Sequence, residues 1–221
     1  MISYGLVVQI AGLSEWEDKH ILDLAFVAHE QFLTQFAKDD NAKRYKSPSL
    51  SAKDKPRVTT TMVVDNTAYI ATSLKGKGAY IYDLSKSDIK GNHPCEGPVL
   101  EGLRRCQQRS IDLDNTTQMH RTKAKCGEYM AALAFCIDTR QQRELSDAKI
   151  VSIFAKSPTE NVLIPPCDKT SSGEKGVWNE WGCNEFTQDV KMHVITDKDG
   201  REAKDVADED IQQPSEQTRY P

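Results

Sequence analysis

The sequence predicts an α/β fold, on three observations. Helical spacing of apolar residues near the N-terminus gives way to a β-branched hairpin. An alanine-rich helix then opens at a cysteine, and a β-branched strand is followed by a second helix that also opens at a cysteine. At 221 residues and 38% hydrophobic content, the chain suits one domain with extensions better than two full domains.

From the N-terminus, Ser14 to Phe36 reads as an amphipathic helix. Ser14 is placed to cap it, Glu17 follows three residues on, and Ile21, Leu24, Ala25, Ala28, Phe32 and Phe36 recur at helical spacing. Asp39 to Arg57 is polar and rich in Lys, Arg, Ser and Pro, which predicts a basic linker, so residues 1–57 form an N-terminal helix and arm. Val58 to Val64 and Ala68 to Ser73 are strands joined by a tight turn at Asp65-Asn66. Tyr80 to Leu84 suggests a short edge strand, and Pro98 to Arg109 a helix with a basic cluster.

Ala124 to Thr139 predicts a largely buried helix, and Lys149 to Ala155 a buried strand. Asn161 to Ile164 is a short apolar run ending at Pro165-Pro166, and a Ser-, Gly- and Lys-rich loop follows from Asp168 to Gly176. Gly182 to Asp189 is a short helix and Val190 to Thr196 a strand, so a core domain spans 58–196. Residues 197–221 are acidic and poor in large apolar groups, as expected of a flexible tail.

The net charge of −4 makes no case for a polyanionic partner, but its distribution does. Residues 43 to 125 hold 16 basic and 8 acidic side chains, against 2 and 7 before them and 11 and 18 after. Such a segment can face phosphates, or it can be a solvated surface. No apolar run approaches the roughly 20 residues that span a bilayer, and Ile2 to Leu13 lacks the basic flank of a signal peptide. The expectation is a soluble, unsecreted, intracellular chain.

Six cysteines (95, 106, 126, 136, 167 and 183) leave a disulfide open, Cys95 with Cys106 or Cys167 with Cys183, although such frameworks belong mainly to short secreted chains. Their placement suggests a metal site instead. Cys126 opens one helix and Cys183 another, Cys167 follows Pro166, and thiolates are favoured at helix N-termini. Zinc needs three protein ligands and an open position to be catalytic. Glu128, two residues beyond Cys126 on the same turn, can move protons without ligating the metal. Cys106 and Cys136 read as inert core residues, and Cys95 precedes no helix that carries a glutamate. His93, His120 and His193 read as structural or surface residues.

Cys126-Gly127-Glu128 and Pro166-Cys167, following the Thr60 to Ser73 hairpin, resemble the cytidine-deaminase-like superfamily, whose pattern is His/Cys-x-Glu and then Pro-Cys-x-x-Cys. The likeness covers roughly residues 58 to 196. It departs from the family where Asp168 to Gly182 separates two cysteines that normally stand two residues apart. The resemblance implies a three-layer α/β/α sandwich with a mixed central sheet, a Zn2+ cofactor held by Cys126, Cys167 and Cys183, and Glu128 as general acid and base. It also implies substrate contacts near Thr72, Ser73, Gly127 and Pro166, with Trp178 and Trp181 of the inserted loop available to stack on a base.

On that footing the expected activity is deamination of cytosine in nucleic acid, DNA before RNA, with the basic segment holding phosphates. A deaminase of free nucleosides or bases, and a zinc-stabilised binding module without catalysis, remain as alternatives.

Overall fold

The computed structural model describes residues 5–9, 16–41, 57–74, 96–114, 120, 122, 124–138, 143–157, 159–167 and 181–196. The strands are β1 (Gly5–Gln9), β2 (Val58–Val64), β3 (Thr67–Thr72), β4 (Lys149–Ser157), β5 (Glu160–Ile164) and β6 (His193–Val194). The helices are α1 (Asp18–Asn41), α2 (Glu96–Asp114), α3 (Gly127–Ile137) and α4 (Cys183–Asp189). The fold is therefore α/β, with four helices on a mostly antiparallel sheet among the described residues.

The sheet runs β1-β3-β2-β4-β5, with β6 also on β4. Thr and Val side chains fill β2 and suit the pleated surface of a buried strand. Its hairpin with β3 turns at Asp65, whose φ of 49° tolerates the tight reversal that an Asp adopts more readily than most residues. Register places Thr60 of β2 directly opposite Ser152 of β4. Among the described residues the one parallel pairing is β4 with β6.

Strand alternation divides the core into two. Met62, Val64, Tyr69, Ala71 and Ile150 pack with α2, α3 and α4. Their neighbours Val63, Ala68, Ile70, Val151 and Ile153 pack with Ile21, Leu22, Ala25 and Ala28 of α1. Thus α1 and the edge strand β1, both N-terminal to the hairpin, complete the same sheet as residues 58–196.

Several elements differ from the expectation in extent. β1 was not foreseen; it is five residues long, too short for its alternation to stand out in an apolar stretch. The strand expected over Val190 to Thr196 shrinks to two residues. The Val190 amide still bonds the Phe186 carbonyl and closes α4, and Lys191 then takes a left-handed φ of 60°. The Ser14 cap, the strand expected at Tyr80 to Leu84, most of the basic linker and the acidic tail lie outside the described residues. Among the described residues no helix is long and apolar enough to cross a membrane.

Candidate metal centre

The site forms where the first turn of α3, the end of β5 and the first turn of α4 meet. α3 reaches the sheet closely because residue 127 is glycine. A Cβ there would collide with the Thr60 side chain, and it would stand 3.2 Å from the Ala71 carbonyl. Gly182 plays the same part for α4, since a Cβ would run into the Cys167 carbonyl. The Asn184 amide donates to that carbonyl at 3.0 Å, so the two ends of the 168–182 insertion are held together. The expected cysteine pair thus meets despite its separation in sequence.

Sγ of Cys126 and Sγ of Cys167 are 3.9 Å apart, and Sγ of Cys183 is 3.5 Å from Nε2 of His120. The ligand atoms of His120, Cys126, Cys167 and Cys183 all lie within 4.8 Å of one another, and this group can hold a metal ion. At 3.9 Å the Cys126 and Cys167 sulfurs are too far apart for a disulfide, whose S–S bond is about 2.05 Å, and the spacing fits a tetrahedral ion, around which thiolates at about 2.3 Å sit about 3.8 Å apart. All five described cysteines are free.

Charge in this cluster is shared unequally. Hydrogen bonds from Cys126 and Cys183 draw Cys167 far below the ordinary thiol range. The bond to Cys167 pushes Cys126 up, and burial pushes Cys183 up. The Cys167 sulfur also accepts the Cys183 amide at 3.2 Å, a donor that favours its thiolate. Binding a metal would displace the protons held by the other two thiols.

Glu128 is buried beside the thiols on the first turn of α3. Burial pushes its carboxyl up to about 7 against hydrogen bonds that pull the other way, including those from Ser152 and Cys183. Ser152 Oγ donates to Glu128 Oε1 at 3.0 Å, and Thr60 Oγ1 lies 2.6 Å from Ser152 Oγ. A hydroxyl has one proton to give, so Thr60 donates to Ser152 while Ser152 donates to Glu128. The sequence reading had assigned Thr60 and Ser152 only to strands.

His120 is the other residue that the sequence reading missed. In sequence it reads as a structural or surface histidine, because no helix or fixed spacing links it to Cys126 six positions on. Its ring is buried, with the edge-on rings of Trp181 at 4.9 Å and Tyr129 at 5.0 Å. Cys106 is buried in the core, as expected, and Cys136 packs against it. Cys95 and His93 lie outside the described residues, and His193 pairs with Asp18.

Of the residues expected to touch substrate, Gly127 lies in the first turn of α3 beside Cys126. Pro166 is buried directly before Cys167. Thr72 is buried and, by strand alternation, faces the α1 side of the sheet. Ser73 bonds the Val58 carbonyl through its amide, and the next residue, Leu74, bonds Lys125 beside the site. Trp181 is fully buried and presents no face to solvent, and Trp178 lies outside the described residues.

Within the basic segment, the described arginines are committed to protein partners. Arg105 and Arg109 share Asp189 at 2.7 and 2.8 Å, and Arg104 faces Glu101 at 4.0 Å. Arg57 donates to the Ala155 and Lys156 carbonyls and lies over the Phe154 ring. Compared with family models, with curated proteins and with solved structures, the chain matches none.

Proposed function

We propose that this chain is a zinc-dependent hydrolase that removes the exocyclic amino group of a nucleobase, converting cytosine to uracil in nucleic acid, with DNA the favoured polymer. One observation carries the reading: a buried carboxyl, pushed up to about 7, stands two residues from a thiol of a four-donor cluster on the same helical turn. A structural metal site has no need of a buried carboxyl beside it, whereas general acid–base catalysis needs one within reach of the reacting atoms. Helices against both faces of the sheet suit the α/β/α arrangement that the sequence resemblance implies.

Cys126, Cys167 and Cys183 would hold the metal, and soft thiolates select zinc over magnesium or calcium. Zinc, when bound, would supply a Lewis acid and lower the pKa of water to about 7. Glu128 would accept a proton and pass protons to the ring nitrogen and to the departing amine. The carbon–nitrogen bond breaks, a carbon–oxygen bond replaces it, and ammonia leaves. Ser152, backed by Thr60, would fix the orientation of the Glu128 carboxyl through its hydrogen bond.

The polymer substrate is supported by the segregated positive charge of residues 43 to 125. Since the described arginines there already have protein partners, phosphate contacts would fall to the segment's other basic residues. A second reading, a metal-stabilised binding module, draws support from His120, because three cysteines and one histidine are a common structural zinc set.

The test is ammonia and uracil release from single- and double-stranded DNA, RNA and free nucleosides by the zinc-loaded protein, each compared with Glu128→Gln. Release from an oligonucleotide that weakens with salt and vanishes in the variant is the expected result. A metal-replete protein that deaminates none of these, or whose activity survives the substitution, would overturn the proposal.

A further inference from the structure

The two nitrogens of His120 face opposite kinds of partner. Nδ1 accepts the backbone amide of Thr122 at 3.1 Å and that of Ala124 at 3.2 Å. A backbone amide can only donate, so Nδ1 bears no proton and the neutral ring carries its hydrogen on Nε2. Nε2 in turn lies 3.5 Å from the Cys183 sulfur. A histidine that ligates a metal ordinarily donates its other N–H to a carboxylate, a carbonyl or water. His120 has the reverse arrangement, with donors where an acceptor would be needed.

The turn leading into α3 is shaped to keep it so. Ala124 is held at a φ of 54°, a left-handed conformation that costs a residue with a Cβ about 1–2 kcal/mol, and its amide is one of the two aimed at Nδ1. Trp181 and Tyr129 meet the imidazole edge-on at 87° and 80°, which hinders a ring flip that would exchange the two nitrogens.

We propose that His120 is a positioning residue of the metal centre rather than a ligand: its Nε2–H donates to the Cys183 sulfur, and the chain contributes three ligands, Cys126, Cys167 and Cys183. This rests on the reading that the cluster holds a metal. Three protein ligands are the number that catalytic zinc sites use, whereas a fourth from His120 would close the site. The hydrogen bond would also offset some of the negative charge that three thiolates bring to a divalent ion.

The test is nuclear magnetic resonance of 15N-labelled protein loaded with 113Cd, together with metal stoichiometry. One metal per chain, a protonated Nε2, an unprotonated Nδ1 and no 113Cd coupling to His120 are expected. His120→Ala should weaken metal affinity by about 10- to 100-fold without changing the stoichiometry or the three-sulfur 113Cd shift, and His120→Gln, which restores an N–H donor, should recover most of the loss. Coupling of 113Cd to Nε2 with one metal bound would overturn this inference and leave the metal site standing. Absence of bound metal would overturn both. If the alanine variant fails to fold, the wild-type spectrum alone decides.

Discussion

The two faces of the sheet use polar residues differently. On the α1 face they anchor packed elements to one another: His29 Nδ1 lies 2.9 Å from Thr59 Oγ1, Asp18 joins Lys149 and His193 at 2.7 Å each near the sheet's end, and Lys149 also donates to the Trp16 carbonyl at 2.9 Å. On the α3 face, Thr60, Ser152 and Glu128 form a directed chain that ends beside three thiols and an imidazole. Adjacent residues of β4 embody the contrast, since Ser152 points into the chain and Ile153 into the apolar layer against α1. A face whose polar groups only anchor packed elements to one another serves stability. A face that keeps a buried carboxyl at a raised pKa gives up stability, as sites for chemistry do.

The largest expected effect lies on the α3 face. Glu128→Gln should lower deamination by about 10²- to 10⁴-fold with metal content unchanged, and it should not destabilise the fold, because a neutral amide replaces a buried carboxyl. Side-by-side turnover and metal analysis check this. Ile153→Ala should invert the pattern: about 2–5 kcal/mol of stability lost by denaturant unfolding, with turnover per folded molecule retained. Equal loss of turnover per folded molecule in both variants would erase the distinction between the faces.

The faces should also respond to pH with opposite sign. Folded Glu128 keeps its proton to about pH 7, whereas an unfolded glutamate loses it near 4.5, so between those values the folded state binds more protons. The Glu128 component of stability in the metal-free protein should therefore fall by about 3 kcal/mol as pH rises through that window, opposed by the depressed Cys167 thiol, and it is read as the difference from Glu128→Gln, which removes it. Denaturant midpoints of both proteins at pH 4.5, 6 and 7.5 test it; parallel curves would refute the assignment to Glu128.

The sequence reading of α3, β2, β3 and β4 agreed closely with the structure because each is periodic or β-branched over enough residues for one face to declare itself, whereas that of α2 stopped five residues short of its C-terminal end. The meeting of Cys126, Cys167 and Cys183 was expected from their positions at element ends, and two glycines make the close approach possible. His120 was missed because a strained turn, which no local pattern encodes, brings it to the thiols. Thr60 and Ser152 were hidden by their own suitability: a threonine in a strand looks like β-propensity, and only cross-strand register reveals that it supports Ser152 beneath a carboxylate.

The smallest effect belongs to the α1 face. Although partial burial opposes it, hydrogen bonds from Lys149 and His193 hold Asp18 below its ordinary value of 3.8. A depressed carboxyl contributes stability above its unfolded pKa, and that contribution fades as pH falls below about 3.8, in contrast with Glu128, whose destabilising effect develops as pH rises. The partners are partly exposed, with Lys149 at 38% and His193 at 53%, so solvent screening limits the pair. Asp18→Asn should cost about 0–1 kcal/mol at neutral pH, shrink toward zero in acid and leave turnover unchanged. A larger loss, or one that grows in acid, would mean that Asp18 anchors α1 through something other than charge. The α1 face would then no longer be the simple apolar counterpart of the face that carries the thiols.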